Sequence, residues 1–170
     1  MMAAVDLDQE YSLSTGHLVP VALTGQSGKQ VFLTNLPAQS GRSGLVGYTP
    51  QLQELIAEAM PFAWHVLDRQ KAAADQPLHL FYINPKEPLE SNVDRLVDFL
   101  RSLAGTHRTW LPLSSSHTMM MHTLLLSLPQ LVGIELSSLT LLHIGDNALH
   151  PGLELLARNH GMGYCFHALY

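Results

Sequence analysis

Asp146, Asn147 and His150 stand together in TLLHIGDNALHPGLELLARNH, just after an apolar run and just before a helical one. Two earlier stretches share that grammar. LHLFYI leads into Asn84, Pro85 and Lys86, and TWLPL leads into Ser114, Ser115, Ser116 and His117. An aspartate beside histidines supplies groups that move a proton, and the free N–H groups at a helix start favour an anion. Asn84, Lys86, Ser115, Ser116, His117, Asp146, Asn147 and His150 are therefore the candidate ligand-binding residues. Asn, Ser and Asp are also what helix N-caps are made of, and capping is the commoner use of such turns.

More specific chemistries find less support. A nucleophilic triad would take a serine from Ser114 to Ser116, His150 or His117 as base and Asp146 as orienter. The strained G-x-S-x-G turn that exposes such a serine is absent, since the stretch reads L-S-S-S-H. GQSGK at Gly25–Lys29 resembles the end of a phosphate loop, but the earlier glycine is missing and Gln30 stands where Ser or Thr would hold Mg²⁺. No G-x-G-x-x-G follows a strand. His143 sits inside a strand and should point away from its turn, while His117 and His122 are spaced for different helix faces. No H-x-x-x-H or paired-cysteine pattern supports a metal. The sequence thus assigns no catalytic residue, no cofactor and no metal.

The totals narrow the class further. At 170 residues the chain suits one domain with a core of its own. Charged residues make up 14%, well under the usual ~25%, and a surface so poor in charge is suited to a protein partner or a second copy. A net charge of −5 with three lysines argues against duplex nucleic acid. Cys165 is the only cysteine, so no internal disulfide forms. The acidic N-terminus is unlike a signal peptide, and no apolar run reaches the ~18 residues of a membrane span. These features predict a cytoplasmic protein.

The elements that must position the polar turns follow from periodicity. Residues 1–15 are polar and without period, a flexible arm. His17–Leu23 and Gln30–Asn35 are β-prone runs around Gly25 and Gly28, which predicts a hairpin. Leu36–Tyr48 is a Gly- and Ser-rich loop. Thr49-Pro50 starts a helix whose apolar stripe runs to Leu67, with a kink or break expected at Pro61. Leu78–Ile83 is a strand covered on both faces, followed by a helix capped at Ser91 and ended by Gly105. Thr109–Leu113 is a strand, the Met119–Leu128 stretch a helix, and Val132–Leu136 a short strand or connector. Thr140–Ile144 and Tyr164–Leu169 are strands flanking a helix from His150 to Gly161. Strands alternating with helices predict one three-layer α/β domain over residues 1–170, Rossmann-like or flavodoxin-like in the broad sense, with a mainly parallel sheet, right-handed crossovers and an N-terminal β-hairpin.

The helix bearing Met119, Met120, Met121, Leu124 and Leu125 is apolar almost all round. It is either a central core helix or the surface that meets a partner, for which methionine's adaptable packing is suited. The preferred expectation is a non-catalytic regulatory or accessory module acting through protein contact or self-association. The alternatives are a small hydrolase, or a sensor of a small anion or nucleotide, using the Ser114–His117 and Asp146–His150 turns.

Overall fold

Leu78–Tyr82 is buried along its whole length and Thr109–Leu113 likewise, because both runs lie inside a sheet covered on two sides. The computed structural model describes residues 16–26, 28–37, 48–70 and 76–169. The expected arm over residues 1–15 and most of the expected glycine-serine loop lie outside the described residues. The strands are β1 (His17–Leu18), β2 (Val31–Thr34), β3 (Leu78–Tyr82), β4 (Arg108–Leu113), β5 (Leu139–Gly145) and β6 (Gly163–Ala168). The helices are α1 (Val21–Thr24), α2 (Pro50–Arg69), α3 (Leu89–Leu103), α4 (His117–Ser127) and α5 (His150–Asn159).

The sheet order is β1-β2-β3-β4-β5-β6, so each strand lies beside the one before it. β1 pairs antiparallel with β2, and every later pair is parallel. This is the mainly parallel α/β architecture with an N-terminal hairpin. The hairpin differs from expectation in one respect. Residues 21–24 form a helical turn rather than strand, begun by extended Pro20 and ended by Gly25 at φ 75°.

Strand alternation divides the core in two. Val31, Leu33, Leu80, Leu111 and Leu142 face α2. Phe81, Trp110, Leu139 and Leu141 face α3, α4 and α5. The strands from β2 to β6 advance one way across the sheet while α2 lies on the opposite face from the other helices. The β2–α2–β3 crossover therefore has the opposite hand to the three that follow it. Four right-handed crossovers, the general rule, do not occur here. α2 covers its face by length, reaching β6 where Phe62 meets the His167 ring at 4.6 Å.

Local sequence accounts for the helices, with corrections. Thr49 Oγ1 accepts from Leu52 N–H at 3.2 Å, and Pro50 occupies the first turn of α2. The expected kink or break at Pro61 produces no break. Pro61 and Ala57, whose carbonyl loses its helical donor, both lie on the exposed side of the helix, so that oxygen is not buried without a partner. α3 begins at Leu89 after an extended Pro88 and not at a Ser91 cap. Pro88 O accepts from the N–H groups of Ser91 and Asn92, which draws Ser91 into the first turn. Leu128–Leu131 is a 3₁₀ turn, and Val132–Leu136 forms no strand. Met120 and Leu124 are buried in the core, and Met119 and Met121 pack against it. The apolarity of α4 is thus largely used within the chain, with Leu125 and Leu126 left exposed. Among the described residues no helix is long and apolar enough to cross a membrane.

Candidate functional site

The chain leaves β2 toward α2 on one face and leaves β3 toward α3 on the other. Diverging connections open a crevice beyond the carboxyl ends of neighbouring strands, the usual ligand position in α/β sheets. Here that crevice is a cleft of about 580 Å³, lined by Asn35, Tyr82, Asn84, Lys86, Glu87 and Arg95, with Gln51 contributed by the start of α2. Its volume lies within the ~300–1,000 Å³ of small-molecule sites.

A network of side-chain amides shapes the cleft. Asn35 ends β2 with φ 72°, in the left-handed region that Asn tolerates better than most residues. Its Nδ2 donates to Tyr82 O at 2.7 Å and to Asn92 Oδ1 at 3.0 Å. Asn92, on α3, is fully buried. Its Oδ1 also accepts from Asn84 N–H at 3.0 Å, and its Nδ2 donates to Asn84 O at 2.9 Å and Pro88 O at 3.3 Å. Two donors and two acceptor sites are thereby filled, which makes a buried amide tolerable. Asn84 Oδ1 accepts from Lys86 N–H at 3.0 Å and so sets the turn after β3. Arg95 Nη1 donates to Asn35 Oδ1 at 2.7 Å and pairs with Glu87 at 3.1 Å. Burial of Tyr82 raises its phenol above the ordinary tyrosine range.

A second polar group sits at the ends of β4 and β5. Ile83 N–H donates to Leu113 O, so the odd-numbered residues of β4 direct their main chain to β3 and the even-numbered ones to β5. Pro112 consequently lacks the N–H that would face β5. Pairing of β4 with β5 stops at Trp110–Leu141, and a cavity of about 70 Å³ opens above, bounded by Glu58, Ser114, His117, His143 and Asp146. His117 Nδ1 lies 3.7 Å from Asp146 Oδ2. His143, contrary to expectation, does reach its own turn, with Nε2 3.3 Å from Asp146 O. Burial pushes its imidazole below the ordinary histidine range, opposed by the Asp146 carbonyl and reinforced by His150 and His117.

The structure separates what the sequence grouped. β3, β4 and β5 are neighbours, yet Asn84 and Lys86 belong to the β2–β3 cleft while His117 and Asp146 belong to the β4–β5 group. Ser116 Oγ caps α4 by accepting from Met119 N–H at 3.1 Å. Asp146 Oδ1 caps the 3₁₀ turn Asn147–Leu149 through Ala148 N–H at 2.8 Å. His150 turns to β6, with Nδ1 2.9 Å from the Tyr164 hydroxyl and its ring stacked on Phe166 at 4.1 Å. Ser115 and Asn147 are exposed. Among the described residues no serine hydroxyl bonds a histidine, and no cluster of three His, Cys, Asp or Glu has the geometry to hold a metal. Asn35, Glu87, Asn92 and Arg95 were missed by sequence reasoning. Asn92 carried a readable signal, because it stands four residues before Leu96 on the apolar stripe of α3.

The chain matches no protein-family model, no curated protein and no solved structure.

Proposed function

We propose that this chain is a regulatory binding module that takes a small polar ligand in the β2–β3 cleft without covalent chemistry. The observation that carries this reading is the buried Asn92, which ties the ends of β2 and β3 to α3. A buried polar network of this kind fixes one geometry, and here it fixes the wall of the β2–β3 cleft. Asn84 and Lys86, two of the residues expected from sequence, lie in that wall. Neither a serine nor a cysteine lines the cleft among the described residues. A cytoplasmic setting accords with the single free Cys165.

The test is a thermal-shift and NMR screen of the purified chain against small organic acids, phosphate esters, nucleotides and neutral polyols. A ligand at ~100 times its dissociation constant adds roughly 2.7 kcal/mol, which raises the melting point by several degrees. Shifts clustered on the cleft residues, the Asn35, Asn84 and Asn92 amides among them, support the reading. A screen in which no compound moves them ends it.

A second reading, contact with a protein partner or another copy, draws on one observation. Leu125 and Leu126 at the end of α4 and Val132 and Ile134 in the turns after it are exposed. Sedimentation of the wild type beside Leu126→Glu and Val132→Glu distinguishes the cases. A wild type that remains monomeric at high concentration removes the self-association form.

A further inference from the structure

Arg95 is anchored through a single nitrogen. Nη1 donates to Asn35 Oδ1 at 2.7 Å and to the two carboxylate oxygens of Glu87 at 3.2 and 3.1 Å. Asn35 is itself fixed by Tyr82 O and Asn92, so the guanidinium rests on a rigid support. Nε and Nη2 have no hydrogen-bond partner among the described residues, and the Arg95 side chain is half exposed. That free edge is the one through which a guanidinium grips a carboxylate or phosphate with two parallel bonds. Lys86 lines the same cleft and has no acidic partner among the described residues. Glu87 offsets one of these two positive charges, leaving the cleft wall with a surplus cation.

Resting on the cleft reading above, we propose that the ligand carries an oxyanion, either a carboxylate or a phosphate monoester. The Nε–Nη2 edge of Arg95 and the Lys86 ammonium bind it. Glu87 has two opposed effects there. Its carboxylate holds Arg95 in place, and its charge weakens the attraction for the incoming anion. The cleft is larger than an oxyanion alone, so the remainder of the ligand is a polar body that meets Asn84 and Gln51.

The experiment titrates the full chain with inorganic phosphate, succinate and glycerol at up to tens of millimolar. It is read through the Arg95 Nε–H and the side-chain amides of Asn35 and Asn92 in ¹H–¹⁵N spectra. Phosphate or succinate should shift all three signals, and their order of affinity tells a phosphate ester from a carboxylic acid. Glu87→Gln keeps an acceptor for Arg95 but removes the charge, and should tighten binding roughly threefold to tenfold. Arg95→Lys keeps the charge but loses the two-point grip, and should weaken binding by about tenfold. Arg95→Ala should abolish it. The inference is overturned if both anions leave the Arg95 Nε–H unmoved, or if Glu87→Gln weakens binding. Shifts caused by glycerol alone would retain the cleft reading and reject the oxyanion. Silence from every probe of both screens would reject both.

Discussion

Asn35 at the end of β2 donates from its side-chain amide to that of the buried Asn92 on α3, 3.0 Å away and 57 residues along the chain. The bond spans β3, the strand between their elements, whose Tyr82 carbonyl accepts from the same Asn35 nitrogen. The ends of two strands and one helix are thereby held to one another by polar contacts. The cleft is the open side of that junction.

Asn92→Ala should destabilise the chain by about 2–3 kcal/mol, because it leaves the Asn84 N–H and one of the two N–H groups of the Asn35 amide without their acceptor. Urea unfolding measures this directly. A loss within the ~0.5 kcal/mol typical of surface positions would mean that water replaces the amide and that the network is not structural.

Asn35→Gly and Asn35→Ala lose the same hydrogen bonds but differ in backbone cost. Glycine adopts φ 72° freely, whereas alanine there bears roughly 1 kcal/mol of left-handed strain. The alanine variant should therefore be the less stable of the two by about that amount. Equal stabilities would show that the chain relaxes out of the left-handed turn once the side-chain bonds are gone.

His143 should make stability depend on pH below neutrality. Its folded imidazole titrates below its ordinary value of 6.5, so the unfolded chain takes up the proton first. The contribution is fully present above about pH 6.5 and is lost as the pH falls toward the folded value. Unfolding curves near pH 7.5 and pH 5.5 should diverge more for the wild type than for His143→Phe. Identical pH slopes in the two proteins would remove His143 as the cause.

Pro112→Ala should restore an N–H facing β5. One added hydrogen bond contributes about 1 kcal/mol, and the loss of proline's stiffness in the unfolded chain costs about 0.4–1 kcal/mol. Net stability should thus barely change, and hydrogen exchange is the better readout. Residue 112 should gain a protected amide and the small cavity between β4 and β5 should narrow. A fast-exchanging amide would show that the gap is held open by its surroundings.

The layers were legible because periodicity reports burial. Leu78–Ile83 had to be covered twice, and the stripe of α2 had to face a core. The capping reading of Ser116 and Asp146 was also legible, since it depends only on neighbours in sequence. What could not be read was the partition of the polar turns, because that depends on which face each helix takes after its strand. α2 lies opposite α3, so Asn84 and Lys86 meet Asn35 and Arg95 and not His117 and Asp146. His150 was misplaced for a related reason: its partners, Tyr164 and Phe166, belong to β6, and strand neighbours do not follow from local pattern. Asn92 is the one element of the cleft that a polar residue on an apolar stripe could have announced.

The sheet order has a consequence for how the chain reaches its native state. From β2 onward each new strand docks on the one just completed, so the sheet can grow by accretion at a single edge, with one helical crossover to close at each step. α2 is the exception. It is made before β3, yet its contacts include Leu142 and Ile144 on β5 and His167 on β6. Its apolar stripe must wait for strands that have not yet paired. Pulsed hydrogen exchange should accordingly find the amides of β3 and β4 protected before the second half of α2 is secured. The last surface to close would then be the one beneath the longest helix.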